Sequence, residues 1–217
     1  VISVDTAKFT DAAGNDNTAG SLSIAVDTVV PEIAITTSDS ALKAGETAAI
    51  TFTLSEESTD FDVNDISVSG GRIDNFTAVS ATVYTAVFTP ATSSTTVGVI
   101  NVDISRFTDA AGNANIAGSL TLAVDTTEPT ISITSSESAL KAGETATITF
   151  TLSEESTDFD VNDISVSGGS IDNFTAVSAT VYTAVFTPSE NSTASGLISV
   201  TGDKFTDAAG NDNTAGS

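Results

Sequence analysis

The sequence predicts an all-β chain built as tandem, near-identical β-sandwich repeats. Three observations carry this reading. Apolar residues alternate with polar ones over short runs, which is the period of a half-buried strand. Clusters of Gly, Asn, Asp and Ser separate those runs with turn chemistry. The chain also repeats itself: Phe9, Phe107 and Phe205 each open the string FTDAAGN, a spacing of 98 residues.

The copies are close. From Ser40 to Pro90 the second repeat differs from the first only where Thr147 stands for Ala49 and Ser170 for Arg72. On this period residues 1–26 are the last two strands of a preceding repeat, 27–124 a complete repeat, and 125–217 a repeat lacking its final strand. Val1 opens the chain without an initiator Met or a signal sequence, so it reads as an excerpt of a longer array. Val124 ends one alternation, and Asp125, Thr126, Thr127, Glu128 and Pro129 lead directly into the next. A joint this short is expected to be stiff. Pro31 and Pro129 reinforce it, because proline fixes its own φ and holds the preceding residue extended.

Within one repeat, seven strands are expected: Ile33 to Thr36, Thr47 to Ser55, Ile66 to Ser69, a weak run near Phe76 to Val79, Val83 to Thr89, Val99 to Phe107, and Ser119 to Val124. In the second, Ile50, Phe52 and Leu54 face the core while Thr51 and Thr53 face water. In the last, Leu120, Leu122 and Val124 face in. Seven short strands in about 100 residues is the count of an immunoglobulin-like β-sandwich.

Composition limits function. The chain carries 29 acids against 6 Lys plus Arg, a net charge of −23. Such a polyanion repels nucleic acid and anionic lipid surfaces and attracts cations. The apolar share, 40%, suffices for a packed core. No Cys is present to form disulfides, and no apolar run approaches the length of a membrane span.

The string SEESTDFDVND, from Ser55 to Asp65, gathers Glu56, Glu57, Asp60, Asp62 and Asp65 with no base among them. In an immunoglobulin-like sandwich the loop between the second and third strands and the loop between the sixth and seventh lie at the pole where the chain arrives. Asp27, this acidic loop and the Asp109-to-Asn113 loop are therefore expected to converge on the joint with the repeat before. Oxygen donors gathered in this way suit calcium. The candidate ligands are Asp27, Glu56, Glu57, Asp60, Asp65, Asp109 and Asn113, and in the next copy Asp125, Glu154, Glu155, Asp158, Asp163, Asp207 and Asn211. Against this stands the plain reading of solvated acidic loops and turn-forming Asp and Asn, and no Asp-x-Asp-x-Asp-Gly loop is present.

FTDAAGN, the VDTTEP joint at Val124 to Pro129, the KAGET turn and the ISVSGG strand together resemble the bacterial Ig-like repeats of very large adhesins and biofilm-associated proteins. The resemblance covers the whole chain. It implies export to the cell surface or medium and tandem repeats that hold a terminal adhesive domain away from the cell, often with calcium stiffening the joints. The partners would be neighbouring repeats, with any host or surface ligand met by domains elsewhere in the protein. By the same likeness Asp27, Asp125 and the acid-rich loops are joint ligands. The first joint, DTVVPE, departs from the DTTxP form, although Asp27 and Pro31 stay in register.

Three functional classes remain to be weighed. The chain has no His and no Cys, which removes the commonest catalytic bases, thiol nucleophiles and zinc sites. Paired carboxylates could still act on glycosides, but no cleft is evident in such a repeat. A carbohydrate- or ligand-binding module is the alternative, for which Tyr84 and Tyr182 are the available polar aromatic platforms. A structural spacer is the leading expectation.

Overall fold

A computed structural model describes residues 1–216. In chain order the strands are β1 (Ile2–Val4), β2 (Gly20–Leu22), β3 (Ile33–Thr37), β4 (Ala41–Leu42), β5 (Ala48–Leu54), β6 (Ile66–Ser69), β7 (Gly71–Ala78), β8 (Val83–Pro90), β9 (Gly98–Val102) and β10 (Gly118–Val124). The second repeat continues with β11 (Ile131–Ser135), β12 (Ala146–Leu152), β13 (Ile164–Ser167), β14 (Gly169–Ala176), β15 (Val181–Pro188) and β16 (Leu197–Val200). Each repeat also holds a single 3-10 turn, at Val63–Asp65 and at Val161–Asp163.

The first repeat is a two-sheet sandwich, one sheet ordered β3-β5-β8-β7 and the other β4-β10-β9-β6. All pairs are antiparallel except β4 with β10, which is parallel. Alternation decides which side chains enter the core. Ala48, Ile50, Phe52 and Leu54 are buried along β5, and Thr53 between them faces out. Phe88, Ile100, Val102 and Leu122 meet them from both sheets. The second repeat builds the same core from Ile148, Phe150, Leu152, Phe186 and Val200. Burying one such side chain contributes about 1.5–3 kcal/mol, so these layers hold each sandwich together without cross-links.

The structure departs from the expected strands of the first repeat at three places. The run expected to reach Phe107 stops at Val102, because Ser105 takes a positive φ and the buried Asn115 carboxamide captures the segment that follows. Asn115 Oδ1 accepts from the N–H groups of Arg106 (2.7 Å) and Phe107 (3.0 Å), while its Nδ2 donates to Asp103 O and Ile116 O. The weak run near Phe76 is the end of the longer β7, whose alternation is hidden by a bulge between Asp74 and Thr77 with Asn75 at φ 56°. The two-residue β4 was not anticipated, being too short to show a period.

Residues 1–26 form a two-stranded hairpin, with Ile2 opposite Leu22. Its large apolar side chains are exposed. Phe9 is 64% exposed where Phe107 and Phe205, its counterparts, are 1% exposed. The hairpin's second strand ends at Leu22. In the complete repeat the corresponding stretch is extended by pairing of Leu122 with Gly98, and of Ala123 and Val124 with Ala41 and Leu42. Among the described residues no helix is long and apolar enough to cross a membrane.

Candidate functional site

The acidic loop folds around an apolar plug. Phe61, buried in the middle of the acids, packs edge-on against Phe52, Phe76 and Tyr84 and lies 5.1 Å from Phe107 between ring centroids. That anchor pins the loop to the pole of the sandwich and leaves its carboxylates to be sorted by local geometry.

The sorting separates the candidate ligands. Asp27, Glu56 and Asp109 each present a carboxylate oxygen within 4.8 Å of the others, and Asp125, Glu154 and Asp207 do the same one repeat later. Asp109 and Asp207 are buried, and Glu56 and Glu154 half-buried. Each Asp of the loop between the sixth and seventh strands is oriented by its own turn: Asp109 Oδ1 accepts from Ala111 N and Asn113 N. Asn113 Nδ2 donates to Asp109 Oδ2 at 2.8 Å, and Asn211 Nδ2 to Asp207 Oδ2 at 2.8 Å. These asparagines therefore turn a donor, not a carbonyl, toward the acids. They hold the loop Asp in its place within the cluster.

The remaining candidates lie apart from the clusters. Asp60 Oδ1 accepts from Ser58 Oγ (2.7 Å) and Thr108 N (2.9 Å), and its Oδ2 accepts from Thr108 Oγ1 (2.8 Å). Asp158 repeats this with Ser156 and Thr206. Asp65 and Asp163 close capping boxes with Asp62 and Asp160. Glu57 and Glu155 are exposed, outside the triads. Their spacing in sequence does not distinguish an acid that joins a triad from one that caps a turn, because both places favour Asp in loops.

The electrostatics follow from this packing. Burial, and then the charges of Asp27 and Asp109, push the Glu56 carboxyl above its usual range; burial, Asp125 and Asp207 do the same to Glu154. Asp109 is held below its usual range, chiefly by the Asn113 side chain. Among the described residues, Glu56 Oε1 is a buried oxygen with no hydrogen-bond partner. An orphaned acceptor facing two more carboxylates, with oxygen donors only, is the chemistry that suits a hard divalent cation. The residues present fit one.

The joint itself is tied down on both sides. Thr126, buried, donates its hydroxyl to Ala91 O (2.6 Å), and its N–H donates to Ser94 O (2.9 Å) in the first repeat. Asp125 N donates to Leu42 O, and Asn211 Nδ2 donates to Asp125 O. Tyr84 and Tyr182, the polar aromatics that the carbohydrate-binding alternative would have to use, are buried, with their hydroxyls donating to Ser58 O and Ser156 O. Neither ring is open to a ligand.

Two sandwiches in tandem, each receiving the chain beside the same acid triad, define an array of immunoglobulin-like repeats. The chain belongs to the bacterial Ig-like domain family, whose model matches residues 27–124 and 125–217. No curated protein matches it. Among solved structures it is similar to the Escherichia coli adhesin FdeC, with 17% identity and a TM-score of 0.47 over 91% of this chain and 67% of that one. It is also similar to the Yersinia pseudotuberculosis adhesin InvE, with 17% identity, a TM-score of 0.36 and coverage of 84% and 50%. A third similar structure is Yersinia pseudotuberculosis InvD, with 19% identity, a TM-score of 0.32 and coverage of 86% and 56%.

Proposed function

We propose that these repeats are spacer segments of a large bacterial adhesin, working outside the cell or on its surface, and that calcium stiffens their joints. The observation that supports this most is the duplicated triad at the place where the chain passes into each sandwich: Asp27 with Glu56 and Asp109, and Asp125 with Glu154 and Asp207. Asp125 sits on the connecting segment, whereas Glu154 and Asp207 sit on loops of the following sandwich, so any group that holds the three together also fixes the angle of the connection. Bound calcium would supply the positive charge that offsets three crowded carboxylates. The protein's own residues do the rest. Asn113 and Asn211 aim the loop Asp, the Phe61 and Phe159 plugs hold the Glu loop, and Thr126 straps the connection to the repeat it leaves. Strands of this length at ~3.3 Å per residue, with their loops, give a rod advancing roughly 35–45 Å per repeat.

Small-angle scattering and thermal melting of residues 1–217 in calcium and in chelator test this reading. Chelation is expected to shorten the maximum dimension and lower the melting temperature, and Glu154→Gln to remove most of that response. A ligand at about 100 times its Kd stabilises by about 2.7 kcal/mol, a readily measured shift. An unchanged dimension and melting temperature would overturn the calcium reading.

A further inference from the structure

The joint between the two repeats carries a second contact that uses a positive group. Lys43 Nζ donates to Gly210 O at 2.7 Å, and Ala44 N donates to Asn211 Oδ1 at 2.7 Å. The turn Lys43 to Glu46 of one repeat thus meets the loop Asp207 to Asn211 of the next. Asn211 is the pivot, since its other end donates to Asp207 and to Asp125 O.

The chain contains its own comparison. Lys141 and Ala142, the counterparts of Lys43 and Ala44, are exposed where the first pair is half-buried. Lys141 Nζ instead pairs with Glu144 Oε1 at 2.9 Å within its own turn. Among the described residues Lys43 makes no ion pair with Glu46, although the two turns have the same sequence. On the acceptor side Asn113 is half-buried and Gly112 exposed, whereas Asn211 is 2% exposed. The same residues thus exist in two states, and the difference between the states is whether a neighbouring repeat lies against them.

We propose that the Lys-Ala-Gly-Glu turn is a docking element for the Asp-Ala-Ala-Gly-Asn loop of the repeat that follows. Lys141 to Glu144 is then a donor half and Gly112 with Asn113 an acceptor half, each fitted to another repeat of this sequence. The latch rests on the tandem reading of the repeats but uses no metal. It selects its partner by chemistry: a carbonyl and a carboxamide oxygen presented together, met by an ammonium group and a backbone N–H at matching positions. Docking costs Lys43 its ion pair with Glu46, a small loss because an exposed pair of this kind contributes little.

The chain has no Cys, so Ser67→Cys and Ser165→Cys, both at exposed strand positions, can carry spin labels that report the distance between repeats. Measured in chelator, Lys43→Glu and Lys43→Met are expected to broaden that distance distribution. The ratio of docked to undocked joints should drop about tenfold, the factor for losing one charge-assisted hydrogen bond. Lys141→Glu is expected to leave the distribution unchanged. Inserting a second copy of residues 27–124 ahead of Asp27 gives Gly112 and Asn113 a preceding turn, and reversing that copy's lysine should loosen the new joint alone. An unchanged distribution for both Lys43 variants overturns the latch, as does equal broadening by Lys141→Glu, which would show an effect of net charge. Because calcium is absent throughout, either result leaves the calcium reading to its own test.

Discussion

Asp60 holds Thr108 by two hydrogen bonds, one from its N–H at 2.9 Å and one from its hydroxyl at 2.8 Å, and Asp158 holds Thr206 at the same two distances one repeat later. The partners are 48 residues apart in sequence. This pair ties the acidic loop to the loop that carries Asp109, so it sets the separation of two members of the triad without belonging to it.

Removing that tie should destabilise the repeat and loosen its pole. Asp60→Ala is expected to cost about 1–3 kcal/mol, the range for leaving buried or half-buried donors unpaired. Urea denaturation measures it, and the same substitution at Asp158 should give the same loss in the second repeat.

The tie also has a defined pH dependence. Burial raises the Asp60 carboxyl, but the hydrogen bonds from Thr108 N, Ser58 Oγ and Thr108 Oγ1 together outweigh it and hold the group below its ordinary value; Asp158 is the same with Thr206 and Ser156. A carboxyl lowered in the folded state contributes stability that is present above its unfolded value and is lost as pH falls through the folded one. The gap in melting temperature between the wild type and Asp60→Asn/Asp158→Asn should therefore be constant near neutrality and close on acidification below about pH 4. A gap that widens in acid would contradict this.

Asn115 and Asn213 are buried, and each satisfies two N–H groups and two carbonyls of its own loop. Asn115→Ala should cost on the order of 3 kcal/mol, because several backbone groups lose their partner at once. Calorimetry should then show the first repeat melting ahead of the second, whose Asn213 is intact.

The Gly-Gly pair in ISVSGG is required by two different constraints. Gly70 has φ +71°, and a Cβ there would also strike Val97 O. Gly71 has an ordinary φ, but a Cβ would collide with Thr89 O and come within 2.6 Å of the Phe88 ring. Gly71→Ala should destabilise by about 1–3 kcal/mol through overpacking, without a change in fold by circular dichroism. Gly112→Ala is the contrast: it meets open space but has φ +91°, so its cost is conformational alone.

The hairpin of residues 1–26 buries none of its large apolar side chains, with Ile2, Phe9, Leu22, Ile24 and Val26 all exposed. An isolated two-stranded unit is marginal in water. Limited proteolysis of the 217-residue chain should cut there first, and the melting temperature of what remains should be unchanged.

The sequence by itself determined whatever is held by short-range bonds and by period. The alternation in Ile50, Phe52 and Leu54 set the buried face of β5, and the 98-residue repeat set the unit. The FTDAAGN loop is the clearest case. In the exposed hairpin Asp11 accepts from Ala13 N and Asn15 N, and Asn17 Oδ1 from Lys8 N and Phe9 N, as in the buried copies. Those bonds span at most nine residues and form with no sandwich around them. Tertiary structure alone decided which acids meet. Glu56 joins Asp27 and Asp109 while Asp60, four residues on, is taken by Thr108, because Phe61 anchors the loop between them at a fixed height over the core. It also decided that Lys43 reaches Gly210 while Lys141 turns back to Glu144. Identical sequences take different partners there because a hydrogen bond across a joint needs a second sandwich to supply the acceptor, and no local pattern encodes that neighbour.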